Sequence, residues 1–519
     1  CRVVHVHEKV RTTFDYLFDG EDLTIRAKVE NNHPTAGINI ARFGALTFHF
    51  RGQHDAEQLT PHSKWGWLAN PKPDQRLRHM HPGWDNRVGG SYGADEHFGV
   101  GATPLKTGLT RTAINWKGGW GSDTRRLTYS AEKPIPPGGA RTFYIKLRLS
   151  MTRDWRHLLE PYRRHFRELH GVEPRYKVDH RFVIQRMAAE PDGDHWKTER
   201  SPLAYHPKRR LDTPEGAKRW AESAVRTLNE AGGKGLIMWA QCGYQPRQMW
   251  FRSDFDVLPR PAQKSWTSFR EVFDRGGKRF GVTVGRTYAM NYRWKWKKDN
   301  ILPRATDLEH LKVMGRRFQR MMDRGATMFY LDMFGYRLGD IKAMRYYREH
   351  VLGPDVLTYC EGPMTDAILP YSGLRTGVRH SQKNGLHLHW GQDRVYYIAR
   401  WLMSDFGTQI YARLHPMPRE TVKVGEKLGM DLKKAVQLSN EQIYRWMFRH
   451  RMSVMNLSAG ESYRAIQEEF LTPDGKWRND LDPMDGPDED HYREELERQV
   501  REEARDADEE EMDLGLPGE

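Results

Sequence analysis

Residues Ala326–Gly335 read ATMFYLDMFG. Ahead of them, residues 308–325 (LEHLKVMGRRFQRMMDRG) space their apolar side chains as an amphipathic helix and end on glycine. The short apolar run Met328–Leu331 then meets Asp332 and a glycine-ended turn. Helix, apolar strand, then an acid where the strand ends is how a parallel α/β barrel presents a reactive group. The unit repeats at once, with a helix over 341–352, a strand over 356–359, and Glu361 in TYCEGP.

Outward from this pair, residues 182–414 alternate strand and helix. Strands are expected at 182–187, 235–240, 282–288, 328–331, 356–359, weakly at 375–380, and at 409–414. Helices are expected at 214–231, 266–277, 308–325, 341–352 and 394–406, and a last one at 441–455. Seven or eight βα units in about 280 residues fit a (β/α)8 TIM barrel better than an open sheet. No GxGxxG or GxxxxGK follows a strand, as an open nucleotide-binding sheet would require.

Before the barrel, residues 1–152 alternate apolar and polar positions in RVVHVH, LTIRAKV, LTFHF and TFYIKLRL, with Gly, Pro and Asn between. That is the pattern of an antiparallel β-sandwich. Trp65, Trp67, Trp84, Trp116 and Trp120 belong to this part, as core or as sugar-stacking residues. Residues 153–177 are expected as a connecting helix with apolar positions 155, 158, 159, 162, 166 and 169 and a kink at Pro161. The barrel is placed at 178–465 and an acidic, disordered tail at 466–519.

The chain has 519 residues, 38% hydrophobic and 11% aromatic, enough for a large core. Its net charge is +14, yet residues 471–519 hold 19 acids against 6 bases, so the remainder carries about +27. Such a surface attracts polyanions, and the candidates include an anionic or sulfated glycan. No nucleic-acid recognition motif accompanies the charge. No run reaches the 18 apolar residues of a transmembrane helix. Cys1, Cys242 and Cys360 are too few for a disulfide framework or a cysteine zinc site, and they read as ordinary thiols. Cys1 at the first position fits a lipoprotein processing product or a fragment boundary, and export is the expected destination. His387 and His389 lack an accompanying carboxylate motif, so no metal and no cofactor is expected.

Two carboxylates at the ends of successive strands are what glycoside hydrolysis needs, one ionised and one protonated. Asp332 and Glu361 are the catalytic candidates, and their spacing does not say which is which. An aspartate at a strand end is otherwise a helix cap or a salt-bridge partner. Substrate-binding candidates at other strand ends are Trp239, Gln241, Asp254, Asp256, Arg286, Tyr288, Asn291, His380 and Trp390, with Trp250 and Arg413 nearby. Aromatic faces and multidentate polar groups are what hold sugars. The expected partner is an oligo- or polysaccharide.

With FYLDMFG and YCEG placed on strands four and five, the chain resembles retaining α-glycoside hydrolases, and among them the endo-α-N-acetylgalactosaminidase and α-N-acetylgalactosaminidase families. The resemblance implies Asp332 as nucleophile and Glu361 as acid/base, in a cofactor-free hydrolysis of an α-glycosidic bond. A rival is the α-galactosidase-like clan, whose acid comes from strand six; there only Asp393 would serve. A catalytically inactive glycan-binding barrel and a polyanion binder are the alternatives from other classes.

Overall fold

The computed structural model describes residues 1–38, 43–49, 91–94, 99–105, 124–129, 134–151, 155–187, 213–239, 260–285, 307–332, 338–361, 368–381, 385–388, 405–413, 451–456 and 461–478, together with 211, 334, 401–403, 444, 445, 447 and 448.

The chain opens with β1 (Arg2–His7), β2 (Val10–Asp19), β3 (Asp22–Asn31), β4 (Phe43–His49), β5 (Ser91–Ala94), β6 (Gly99–Leu105), β7 (Thr124–Tyr129) and β8 (Ala140–Ser150). Six of them form an antiparallel sheet in the order β1-β2-β3-β8-β6-β5, and β4 pairs with β7. This is consistent with the expected sandwich. The period-two pattern does the sorting: Leu23, Ile25, Ala27 and Val29 of β3 lie with Phe143, Ile145 and Leu147 of β8 in one apolar cluster. Gly20, at φ 57°, makes the tight turn between β2 and β3.

Helix α1 (Trp155–His170) runs through Pro161. It touches both halves of the protein. On one side Gly101 of β6 admits the Leu158 carbonyl so closely that a Cβ there would sit 1.8 Å from its oxygen. On the other, Leu159, Tyr162 and Phe166 enter the barrel's outer core. Arg167 also donates to the carbonyls of Trp401 and Leu402.

Then follow β9 (Val183–Met187), α2 (Pro214–Glu230), β10 (Gly235–Trp239), α3 (Arg260–Arg275), β11 (Arg279–Gly285), α4 (Leu308–Asp323), β12 (Met328–Asp332), α5 (Leu338–Tyr347) with a π-helical turn (Arg348–Leu352), and β13 (Leu357–Glu361). After these come β14 (Gly373–Ser381), β15 (Gly385–Leu388), β16 (Thr408–Arg413), β17 (Ser453–Asn456) and α6 (Glu461–Phe470). Local chemistry sets the helix starts: Thr213 Oγ1 accepts from the Gly216 amide with Pro214 at the first turn, and Asp307 accepts from the amides of Glu309 and His310.

Strands β9, β10, β11, β12, β13, β14, β16 and β17 are parallel, each paired with the next, and β17 pairs back to β9. The ring is closed, and the fold is a (β/α)8 barrel after an antiparallel β domain. β15 is a hairpin partner added to β14. Two cores result. Leu236, Met238, Phe280, Val282, Phe329, Leu331 and Cys360 face the helices. Val183, Ile237, Met328, Tyr330, Leu357, Tyr359 and Met455 fill the lumen.

Two expectations are corrected. The helix expected over 441–455 ends early, because Arg451 takes φ 54°, and the eighth barrel strand follows at Ser453–Asn456. Residues 466–478, expected within the tail, are folded. Tyr463, Ile466, Phe470, Leu471 and Trp477 belong to the helix-side core, so the folded chain continues to at least 478. Gln467 accepts from the Phe182 amide at 2.7 Å and donates to the Gly232 carbonyl at 3.0 Å. This segment covers the end of the barrel where the strands begin.

Candidate active site

Strands four and five of the barrel are β12 and β13. Their register runs Met328↔Leu357, Phe329↔Thr358, Tyr330↔Tyr359 and Leu331↔Cys360. The next residues out, Asp332 and Glu361, are the last of their strands. They therefore stand level on neighbouring parallel strands, with backbones about 4.8 Å apart. Leu331 and Cys360 belong to the helix-side core, whereas Tyr330 and Tyr359 belong to the lumen. Alternation thus puts positions 332 and 361 on the lumen register, at its C-terminal mouth.

Below positions 332 and 361 the lumen holds a layer of aromatic side chains. Tyr330 is fully buried and Tyr359 nearly so. Trp239, the last residue of β10, is half-buried against them, its ring 5.0 Å from that of Tyr330 and tilted by 32°. Burial raises the Tyr359 hydroxyl well above its ordinary value.

The next layer down is polar. Lys234, just before β10, is buried with its ammonium 5.5 Å from the Tyr359 ring centre and 3.9 Å from Asp179, and it donates to the Asp179 carbonyl. Arg181 grips the same carboxylate through two bonds of 3.0 and 2.8 Å. Gly475 closes over Asp179: a Cβ there would meet Oδ1 at 2.2 Å, and its φ of 83° already favours glycine. His180 binds Asp405 at 2.9 Å and rests on Trp477. These ions sit at the strands' N-terminal side and serve stability, by the division of labour usual in this fold.

Behind the acids, the buried Arg348 ties strands five and six together. It donates to the carbonyls of Val356, Gly353 and Tyr371 and to Thr358 Oγ1. Cys360 donates to Ser372 Oγ at 3.2 Å, and burial pushes its thiol up to about 12, so it is an inert core thiol.

Of the other expected site residues, His380 lies on β14 in the register of Leu374, a helix-side residue, not that of the lumen. The lumen register of β14 is held by Arg375, the partner of Glu361, which the sequence reading did not single out as a site residue. Arg413 and His387 end β16 and lie in β15. Gln241, Trp250, Asp254, Asp256, Arg286, Tyr288, Asn291, His389, Trp390 and Asp393 lie outside the described residues, as do Cys242 and the five tryptophans of the β domain. Among the described residues no three His, Cys, Asp or Glu side chains gather as metal ligands. Among them, too, no helix is long and apolar enough to cross a membrane.

No protein-family model matches the chain. No curated protein matches it either. Among solved structures it is similar to an alpha-galactosidase from Geobacillus stearothermophilus, at 11% identity and a TM-score of 0.47, over 90% of this chain and 68% of that one. It is similar to an alpha-N-acetylgalactosaminidase from Bifidobacterium bifidum, at 12% identity and a TM-score of 0.47, over 79% and 75% of the two chains. An alpha-galactosidase from Thermus thermophilus matches at 11% identity and a TM-score of 0.45, over 90% and 99%.

Proposed function

We infer that the chain is a glycoside hydrolase that cleaves an α-glycosidic bond of an oligo- or polysaccharide by a retaining double displacement. One observation carries this reading: Asp332 and Glu361 end neighbouring barrel strands at one level, on the lumen register, beyond an aromatic layer of the lumen. Retaining enzymes need carboxyl groups about 5 to 5.5 Å apart, whereas inverting ones need a wider gap for water. Adjacent strand ends, with backbones about 4.8 Å apart, are compatible with the shorter spacing.

The roles follow the resemblance of FYLDMFG and YCEG. Asp332 attacks the anomeric carbon while Glu361 gives its proton to the departing glycosidic oxygen. Water then attacks the same carbon, the ester to Asp332 breaks, and Glu361 takes the water's proton. Trp239 offers an aromatic face at the floor for the sugar ring. Export of the protein and a preference for an anionic glycan, drawn from the basic character of residues 1–470, belong to the same reading.

The test is a screen of α-linked glycans for new reducing ends, with wild type, Asp332→Asn and Glu361→Gln side by side. The expected result is cleavage by wild type and a loss of at least about a thousandfold in both variants. Full activity in Glu361→Gln with none in Asp332→Asn would place the acid elsewhere. Glycan binding without cleavage would make the chain a binding barrel.

A further inference from the structure

The last described residue, Arg478, lies on the side of the barrel where the strands begin. Its amide donates to the Phe470 carbonyl at 3.1 Å and its guanidinium to the Glu468 carbonyl at 3.0 Å. One turn earlier in α6, Arg464 packs on Gly232, where a Cβ would stand 3.2 Å from its Cγ. The next carbonyl, that of Gly233, accepts from Lys278 at 2.8 Å. Arg181 borders Gly475 as closely, and Lys476 follows in the chain. Three of these side chains stay open to solvent, Arg464 at 54%, Lys476 at 66% and Arg181 at 36%.

The acids of this face are already engaged. Asp179 is held by Arg181 and Lys234, Glu468 by Arg464, and Asp474 lies 3.8 Å from Lys476. Asp355 pairs with Lys177, and Asp405 with His180. Lys278 has no such partner among the described residues; its ammonium meets only the Gly233 carbonyl. Burial, then the charges of Arg181 and Arg464, lower its pKa, and Asp179 offsets them less. A half-buried ammonium repelled by two guanidiniums is a place for a further carboxylate.

Carboxylates stand next in the sequence. Residues 479–490, NDLDPMDGPDED, hold six acids and no base and begin directly after Arg478. They lie outside the described residues, as does all of 479–519, which holds 18 acids against 4 bases. Reach is no obstacle. Twelve residues span up to about 40 Å, whereas Arg464 is one helical turn, about 5 Å, from the residue whose carbonyl Arg478 holds.

We propose that the strand-start face of the barrel is the docking surface of the chain's own residues 479–490, whose carboxylates pair with Lys278, Arg181 and Arg464. The segment neutralises this face, at the far end of the barrel from positions 332 and 361. It competes there with any external polyanion.

The test is zero-length carbodiimide coupling of the full chain at low salt, with the joined peptides read by tandem mass spectrometry. An amide between Lys278 and an acid of 479–490 is expected. It should fade in 1 M salt, where the screening length falls to about 3 Å. Lys278 is far from the segment in sequence, so chain proximity does not make this product. Coupling of 479–490 only to lysines elsewhere, such as Lys28 or Lys146 of the β domain, overturns the proposal, as does none at all. The second measurement is affinity for a fluorescent heparin oligosaccharide at 0.1 M salt. Replacing the six acids in the full chain (D480N, D482N, D485N, D488N, E489Q and D490N) should tighten binding about tenfold. Adding Lys278→Gln and Arg464→Gln should remove at least about half of that gain. Unchanged affinity in the first variant, or a full gain in the second, also overturns the proposal.

Discussion

Leu331 and Cys360 are register partners on β12 and β13, both turned to the helices. Because they pair, the positions just beyond them, 332 and 361, share the opposite register at the C-terminal ends of the two strands. A slip of one residue in this pairing would send one acid to the helix side, so the register of two short strands decides whether there is a site.

That register is guarded from behind by Arg348, which is 4% exposed and bonds four groups of the segments leading into and along β13 and β14. Burial lowers its pKa to about 10, still far enough above neutrality to keep it charged. Arg348→Met should leave buried carbonyls without donors and cost about 3 kcal/mol. Chemical denaturation measures the loss. A variant as stable as wild type would show that these bonds do not hold the strands.

The ions under the barrel give a pH dependence of definite sign. Burial alone would raise Asp179, but the charges of Lys234 and Arg181 bring it down to about 2 from an ordinary 3.8. A depressed acid contributes stability that is complete above about pH 4 and is lost as the pH falls toward 2. Burial lowers Lys234 from 10.5 to about 8, only partly offset by Asp179. Its charge is therefore a cost to the fold below pH 8, relieved as the pH climbs toward 10.5. Asp179→Asn should cost about 3 kcal/mol by leaving Lys234 buried without its counterion. Lys234→Met should cost under about 1 kcal/mol, since Arg181 still pairs Asp179. Equal losses, measured by urea unfolding at pH 7, would contradict this ranking.

The closing segment at the C-terminal end of the described chain makes a third prediction. Gln467, 3% exposed, satisfies the Phe182 amide and the Gly232 carbonyl, the ends of the chain entering β9 and leaving α2. Gln467→Leu should cost about 2 kcal/mol by orphaning both. Gln467→Glu keeps the acceptor and should recover part of it. Amide exchange at Phe182 is the local readout: faster exchange is expected in Gln467→Leu, and unchanged exchange would refute the bond's importance.

The fold was legible where local pattern and burial agree. Met328–Leu331 is a continuous apolar run and Val356–Tyr359 is interrupted only by Thr358, both between helices, as expected of strands covered on both faces. The eighth strand was hidden because SVMN continues the apolar content of the helix before it. What separates them is the backbone reversal at Arg451, a residue type with no preference for positive φ. Helix α6 was hidden by the acidic sequence around it, although Tyr463, Ile466 and Phe470 keep helical spacing. Asp332 and Glu361 were readable because each directly ends an apolar run. Arg375 was not, since nothing in GLRTGVRH marks which face a residue takes until the Glu361 pairing fixes it.

The most direct test of the account is the site of the covalent intermediate. The full chain would be incubated with a slow fluorosugar analogue of an α-glycoside that it hydrolyses, digested, and mapped by tandem mass spectrometry. A glycosyl adduct on Asp332, absent in Asp332→Asn and persistent in Glu361→Ala until azide releases it, is the predicted result. An adduct on any other residue, or turnover that leaves no adduct and inverts the anomer released, would contradict the paired-carboxylate mechanism.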